Sequence, residues 1–163
     1  MLYNEDFKKA KEIGAEITED FQGKDIILVG ILKGSVMWMA DLMKRIDLDL
    51  AIDFMAISSY GDEKQSSGVV KIIKDIDIAI EDKDVIIVED IVDSGTTLAY
   101  LKSYLKNMNP KSISICTLLD KPEGRKTPVD IDYKGFEVDD VFIVGYGLDY
   151  AQKYRNLPYI KEL

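Results

Sequence analysis

Val85-Ile-Ile-Val-Glu-Asp-Ile-Val-Asp-Ser-Gly-Thr-Thr-Leu98 is the stretch from which the fold can be read. The apolar run Val85 to Val88 predicts a buried parallel strand, ending in two adjacent carboxylates, Glu89 and Asp90. A third carboxylate, Asp93, follows, and Ser94-Gly95-Thr96-Thr97 opens a helical pattern. In an open α/β sheet, ligands bind beyond the carboxyl ends of the strands, where loops lead into helices. A hydroxyl-rich turn containing glycine at a helix N-terminus offers unpaired backbone N–H groups and a positive dipole end to a phosphate. The paired acids before it suit ribose hydroxyls and a hard cation. Asp93 is left over for chemistry.

Outward from this segment, the chain has 163 residues, 47% hydrophobic and 31% charged, as expected of one globular domain over residues 1–163. A net charge of −9 argues against an extended nucleic-acid footprint and favours a small anion neutralised by metal and a few placed cations. There is no histidine, so acid–base work falls to carboxylate, lysine or tyrosine. A metal site would be oxygen-rich, which favours magnesium or calcium over zinc. Cys116, the only cysteine, sits in the apolar run Ile113–Leu119 and reads as a buried structural thiol. No intramolecular disulfide is available, no signal-peptide pattern opens the chain and no apolar stretch is long enough to span a bilayer. A cytoplasmic protein without a membrane partner is expected.

Phe7, Ile13, Ile17 and Phe21 predict an amphipathic helix over 5–22 with Gly23 as C-cap. Strands are expected at 25–31, 50–57, 69–73, 85–88 and 113–119, with late strands near Phe136, Val138 and 142–144. Helices are expected at 36–45 and 95–108. The polar stretch 58–68 reads as a mobile loop, and the acid-rich 75–84 segment as a solvated connector, since it lacks the glycine and spacing of a calcium loop. Two further constellations stand out: Leu32-Lys33-Gly34-Ser35 at the end of the first strand, and a C-terminal set comprising Lys121, Phe142 to Asp149, and Arg155.

Segment 85–98 resembles the phosphoribosyl-diphosphate (PRPP) signature of the type I phosphoribosyltransferases. With the other two constellations in order along the chain, the sequence is similar to bacterial hypoxanthine (hypoxanthine-guanine) phosphoribosyltransferases over nearly its whole length. The resemblance implies an α/β fold with an open, mainly parallel twisted sheet flanked by helices and a small base-binding hood. It implies that Glu89 and Asp90 meet the ribose hydroxyls, directly or through Mg²⁺. Asp93, Ser94, Gly95, Thr96 and Thr97 would cradle the 5′-phosphate, with Asp93 also the general base.

In the base site, the resemblance implies that Lys121 donates to the 6-oxo group, Phe142 stacks on the purine and Ile143 contacts it through its backbone. Asp149, in the same segment, would hold magnesium, making Glu89, Asp90 and Asp149 the metal set. Lys33, Gly34 and Arg155 would face pyrophosphate, and Ser59 and Tyr60 would belong to a closing lid. The family often holds a Lys-Gly-type peptide in the cis form, which would fall at Lys33–Gly34. Thr96 departs from the bulky aliphatic frequent in bacterial relatives, adding only a hydroxyl to the loop.

The implied activity is Mg²⁺-dependent transfer of phosphoribosyl from PRPP to hypoxanthine or guanine, in a homodimer or homotetramer. Its rivals are a xanthine-preferring enzyme and an RNA-binding regulator on the same scaffold. A dinucleotide-binding domain is disfavoured because no G-x-G-x-x-G follows the first strand.

Overall fold

Every residue from Ile26 to Ile31 is buried, and so is every one from Asp84 to Glu89. These two segments are the centre of the sheet, β1 (Ile26–Leu32) and β4 (Asp84–Val92), paired in parallel with Ile26 opposite Asp84 and Gly30 opposite Val88. Strands buried on both faces read as continuous apolar runs, which is why the sequence pattern found them. The structure is a computed structural model that describes residues 3–59 and 70–163, with the backbone alone at 3–7 and 59.

Among the described residues the main sheet has the order β3-β2-β1-β4-β5-β6. Its other members are β2 (Leu50–Ser59), β3 (Val70–Lys74), β5 (Ser112–Asp120) and β6 (Tyr133–Glu137). All neighbours are parallel except β3, which returns antiparallel along β2. From β1 the chain builds one side of the sheet, then crosses back and builds the other from β4. The order therefore reverses between β1 and β4, and a crevice opens there beyond the strand ends.

Alternation within the central strands divides the core between two faces. Ile26, Leu28, Ile86 and Val88 pack with α1 (Tyr3–Asp20) and α2 (Val36–Met43), through Ile13, Ile17, Trp38 and Leu42. Ile27, Val29, Ile31, Val85 and Ile87 face Leu98, Leu101 and Leu105 of α3 (Thr96–Lys106). Each such side chain contributes about 1.5–3 kcal/mol when fully buried. Gly23 ends the first helix region with φ +71°, as a C-cap glycine should. In α1, Gly14 allows close approach of the α2–β2 connection: a β-carbon there would stand 2.5 Å from the Arg45 carbonyl oxygen.

Three expectations change. The strand at Val85 runs on through Glu89 and Asp90 to Val92, because pairing with β5 continues as far as Val92 opposite Asp120. The 75–84 connector is not merely solvated: Ile80 is buried, and the N–H groups of Asp77 and Ile78 donate to buried Asp53 at 2.6 and 3.0 Å. The expected loop at 58–68 begins later than its polarity suggests. Ser58 and Ser59 belong to β2, opposite Lys71 and Val70, so Ser59 enters as strand backbone. Tyr60 and the rest of that loop lie outside the described residues. No helix among the described residues is long and apolar enough to cross a membrane.

A separate two-stranded ribbon, β7 (Ile143–Val144) with β8 (Lys161–Glu162), forms the C-terminal hood. Tyr146 fastens it to α2, its buried phenol donating to the Asp41 carboxylate.

Candidate active site

At the reversal between β1 and β4, two of the sequence constellations meet. Gly34, in the loop after β1, lies against Asp90; a β-carbon there would stand 1.9 Å from Asp90 Oδ2. The same glycine meets the hood, since a β-carbon on Gly147 would stand 2.2 Å from the Gly34 carbonyl oxygen. The cis peptide precedes the expected one: it is Leu32–Lys33, where β1 ends.

Glu89 is 9% exposed and its neighbour Asp90 half-buried. Burial raises the pKa of Glu89 well above the ordinary carboxylate range, and the charge on Asp90 raises it further. Burial also raises that of Asp90, although the N–H of Ile91 and the charge on Arg155 pull the other way. Two adjacent desolvated carboxylates hold a proton more tightly than free ones. A cation or ribose hydroxyls at this position would relieve that cost.

Gly95 starts α3 with φ +80°, a left-handed conformation suited to glycine, and the Thr96 N–H reaches only Ser94 Oγ, at a long 3.4 Å. The first-turn N–H groups remain available to an anion. A cavity of about 150 Å³ is lined by this turn from Asp93 to Gly95, with Thr97 and Glu89. The turn is braced from behind: the N–H groups of Lys126 and Thr127 donate to the Ser94 carbonyl at 2.9 and 3.0 Å. Thr96 Oγ1 lies 3.0 Å from Thr127 Oγ1. The extra hydroxyl noted in the sequence therefore bonds to the bracing loop. Asp93 is exposed and abuts Gly124, where a β-carbon would stand 1.9 Å from Asp93 Oδ1.

Lys121 follows β5 and is buried, its N–H donating to the Val92 carbonyl at 2.9 Å and its Nζ 3.8 Å from Asp140. Phe142 is 53% exposed, and its ring stands perpendicular to that of Tyr150 with 5.7 Å between centroids. Ile143 begins β7, and the Leu163 N–H donates to the preceding Phe142 carbonyl at 3.0 Å.

Arg155 gathers several groups: Nη1 donates to the Gly147 carbonyl at 2.6 Å and Nη2 lies 3.2 Å from Asp149 Oδ1. Lys33 reaches the same cluster through Gln152 Oε1 at 3.2 Å. Gln152, Gly147, Gly124 and Thr127 were not singled out in the sequence. The Gly-Tyr-Gly spacing around Tyr146 was a signal for Gly147; Gln152 carries none.

Glu89, Asp90 and Asp149 do not converge. Among the described residues no three acidic, cysteine or histidine side chains form a metal cluster. This donor set still fits magnesium, which commonly takes one or two carboxylates plus substrate oxygens and water. The buried Glu89–Asp90 pair supplies the first carboxylates. A larger cavity, about 590 Å³, lies between α1 and the α2–β2 connection, lined by Lys11, Thr18, Glu19 and Lys44 among others. It adjoins the amino ends of the strands, away from these groups.

Comparison with known proteins agrees with this geometry. Residues 2–151 match the family described as "Phosphoribosyl transferase domain". The chain is 56% identical to the hypoxanthine-guanine phosphoribosyltransferase of Bacillus subtilis, across 94% of this chain and 85% of that one. Its identity to the Streptococcus mutans enzyme of the same name is 54%, across 98% and 90%. A crystal structure of a hypoxanthine phosphoribosyltransferase from Staphylococcus aureus superposes with a TM-score of 0.96 at 51% identity, covering 99% of this chain and 88% of that one. The chain belongs to the phosphoribosyltransferase family, with bacterial hypoxanthine-guanine phosphoribosyltransferases among its relatives.

Proposed function

We propose that the protein transfers phosphoribosyl from PRPP to a 6-oxopurine, hypoxanthine or guanine, giving the nucleotide and pyrophosphate in purine salvage. The observation that carries this reading is the meeting of Gly34 with Asp90 at the point where the strand order reverses. That contact joins a loop suited to a diphosphate with carboxylates suited to ribose. Similarity to named enzymes over more than nine-tenths of the chain supports it.

In this reading the turn from Asp93 to Thr97 binds the 5′-phosphate through backbone N–H groups and hydroxyls. Glu89 and Asp90 accept from the ribose hydroxyls and would hold magnesium there, while Asp149, which does not converge with them, would hold it on the diphosphate side. When bound, magnesium neutralises diphosphate oxygens and strengthens the leaving group. Lys33, the Gly34 backbone and Arg155 face the same diphosphate. The bond from ribose C1 to the diphosphate oxygen breaks with its electron pair leaving on oxygen. A purine ring nitrogen forms the new bond to C1, and its proton passes to Asp93. Charge builds on ribose and diphosphate together, so fixed charges supply most of the stabilisation.

Lys121 donates from Nζ to the 6-oxo group, exposed Phe142 stacks its ring on the purine and Ile143 offers its backbone. An amino group at the 6-position would meet a donor with another donor, and polar sites of this kind discriminate by about 10⁴-fold at best. Incubation with PRPP, Mg²⁺ and hypoxanthine tests the reading: IMP and pyrophosphate should form in equal amounts. If hypoxanthine and PRPP are both returned unchanged, the proposal fails.

A further inference from the structure

Gln152 joins two parts of the site that are remote in sequence. Its Oε1 accepts from Lys33 Nζ at 3.2 Å and from Arg155 Nη2 at 3.3 Å. Its backbone N–H donates to Asp149 Oδ2 at 2.8 Å, while Asp149 Oδ1 pairs with Arg155. The residue achieves this in a left-handed backbone conformation, φ +67°, directly after Ala151 at φ +51°. Non-glycine residues seldom adopt that region, and consecutive ones persist where surrounding bonds determine the turn. Arg155 Nε is buried with no hydrogen-bond partner among the described residues, so this guanidinium has donor capacity to spare.

Two cations placed on one neutral oxygen repel each other, and Asp149 offsets this on the Arg155 side. An anion with several oxygens would hold both far better, through charge-assisted bonds. We propose that Gln152 is a positioning residue, which gathers Lys33 from the β1–α2 loop and Arg155 from the hood into one cation pair ready for the diphosphate. Lys33 and Arg155 then pass from the amide oxygen to diphosphate oxygens when PRPP binds. Gln152 itself touches no reacting atom. This inference rests on the phosphoribosyl-transfer reading and adds to it a determinant of diphosphate affinity.

The test uses the full chain with inorganic pyrophosphate and Mg²⁺ as probe, beside steady-state kinetics. Gln152→Ala should weaken pyrophosphate binding and raise KM for PRPP by roughly tenfold, the size of one hydrogen bond to a charged group. KM for hypoxanthine should stay within about twofold, and Gln152→Glu, whose carboxylate would hold both cations against the diphosphate, should weaken pyrophosphate binding at least as much as Gln152→Ala. Gln152→Ala with unchanged pyrophosphate affinity would overturn the inference while leaving the transfer reading intact. An equal loss of affinity for pyrophosphate and hypoxanthine would also overturn it, by showing a general structural defect. Failure of the parent protein to transfer phosphoribosyl would instead overturn the reading beneath it.

Discussion

Gly34 and Asp90 touch so closely that no side chain fits between them: a β-carbon on Gly34 would lie 1.9 Å from Asp90 Oδ2. One residue follows β1 and the other lies near the end of β4, so this contact brings the loop proposed for the diphosphate beside the carboxylates proposed for ribose. Gly34→Ala must displace either the loop or the carboxylate. Overpacking of this kind costs about 1–3 kcal/mol, and here the cost falls on the site. kcat/KM for PRPP should drop by at least about tenfold, with a smaller change in KM for the base. Steady-state kinetics with each substrate varied in turn would check this.

Glu89 and Asp90 give the protein a pH dependence of definite sign. Burial raises both pKa values, so the folded state binds more protons than the unfolded one above the ordinary carboxylate range. Stability from this pair is therefore fullest at low pH and declines as pH rises through the raised folded values. Glu89→Gln removes the buried charge and keeps the shape. It should raise the unfolding temperature of the ligand-free protein near pH 7.5, by about 2–4 °C for each kcal/mol relieved. The gain over the parent should shrink as pH falls, and turnover should drop. Calorimetric scans from pH 5 to 8 would measure the difference.

Asp93 is exposed beside the turn proposed for the 5′-phosphate, with its carboxylate against Gly124. Asp93→Asn preserves size and removes the proton acceptor. kcat should fall by about 10²–10⁴-fold if Asp93 is the general base. KM for PRPP should change far less. An unchanged kcat would remove Asp93 from the proton transfer.

Asp53 illustrates the opposite electrostatic sign, away from the site. Its burial alone would raise the pKa, yet N–H groups of Ile78, Phe54 and Asp77, with Lys74 beside it, hold it below the ordinary value. Asp53→Ala leaves those N–H groups without their acceptor and should cost about 2–3 kcal/mol at neutral pH. A carboxylate with a lowered folded pKa contributes stability above the unfolded value, lost as pH falls through the folded one. Urea unfolding should therefore show the variant's deficit at pH 7 and a smaller deficit in acid.

The central sheet was legible because strands buried on both faces are written as apolar runs, and α1 because Ile13, Ile17 and Phe21 keep helical spacing. The turn from Asp93 to Thr97 was legible because hydroxyls and a glycine follow carboxylates in one continuous segment. β8 was not, since Lys161 and Glu162 are exposed and polar and pair with Ile143 and Val144 far back in the chain. Phe142 and Val138 flank strands rather than lie in them. Asp53 reads as an ordinary strand acid, and its role depends on a connector 24 residues away. Gln152 depends on Lys33, 119 residues distant, a relation that no local pattern encodes. Residues that act within one segment could be read; those whose chemistry lies in tertiary contact could not.

The most direct test of the account is the relative kcat/KM for hypoxanthine, guanine, xanthine, adenine and uracil with PRPP and Mg²⁺, in the parent and in Lys121→Ala. The account predicts rapid use of hypoxanthine and guanine, adenine and uracil nearly inert, and a collapse of the hypoxanthine-over-adenine ratio in the variant. Adenine used as well as hypoxanthine by the parent, or a ratio untouched by Lys121→Ala, would contradict it.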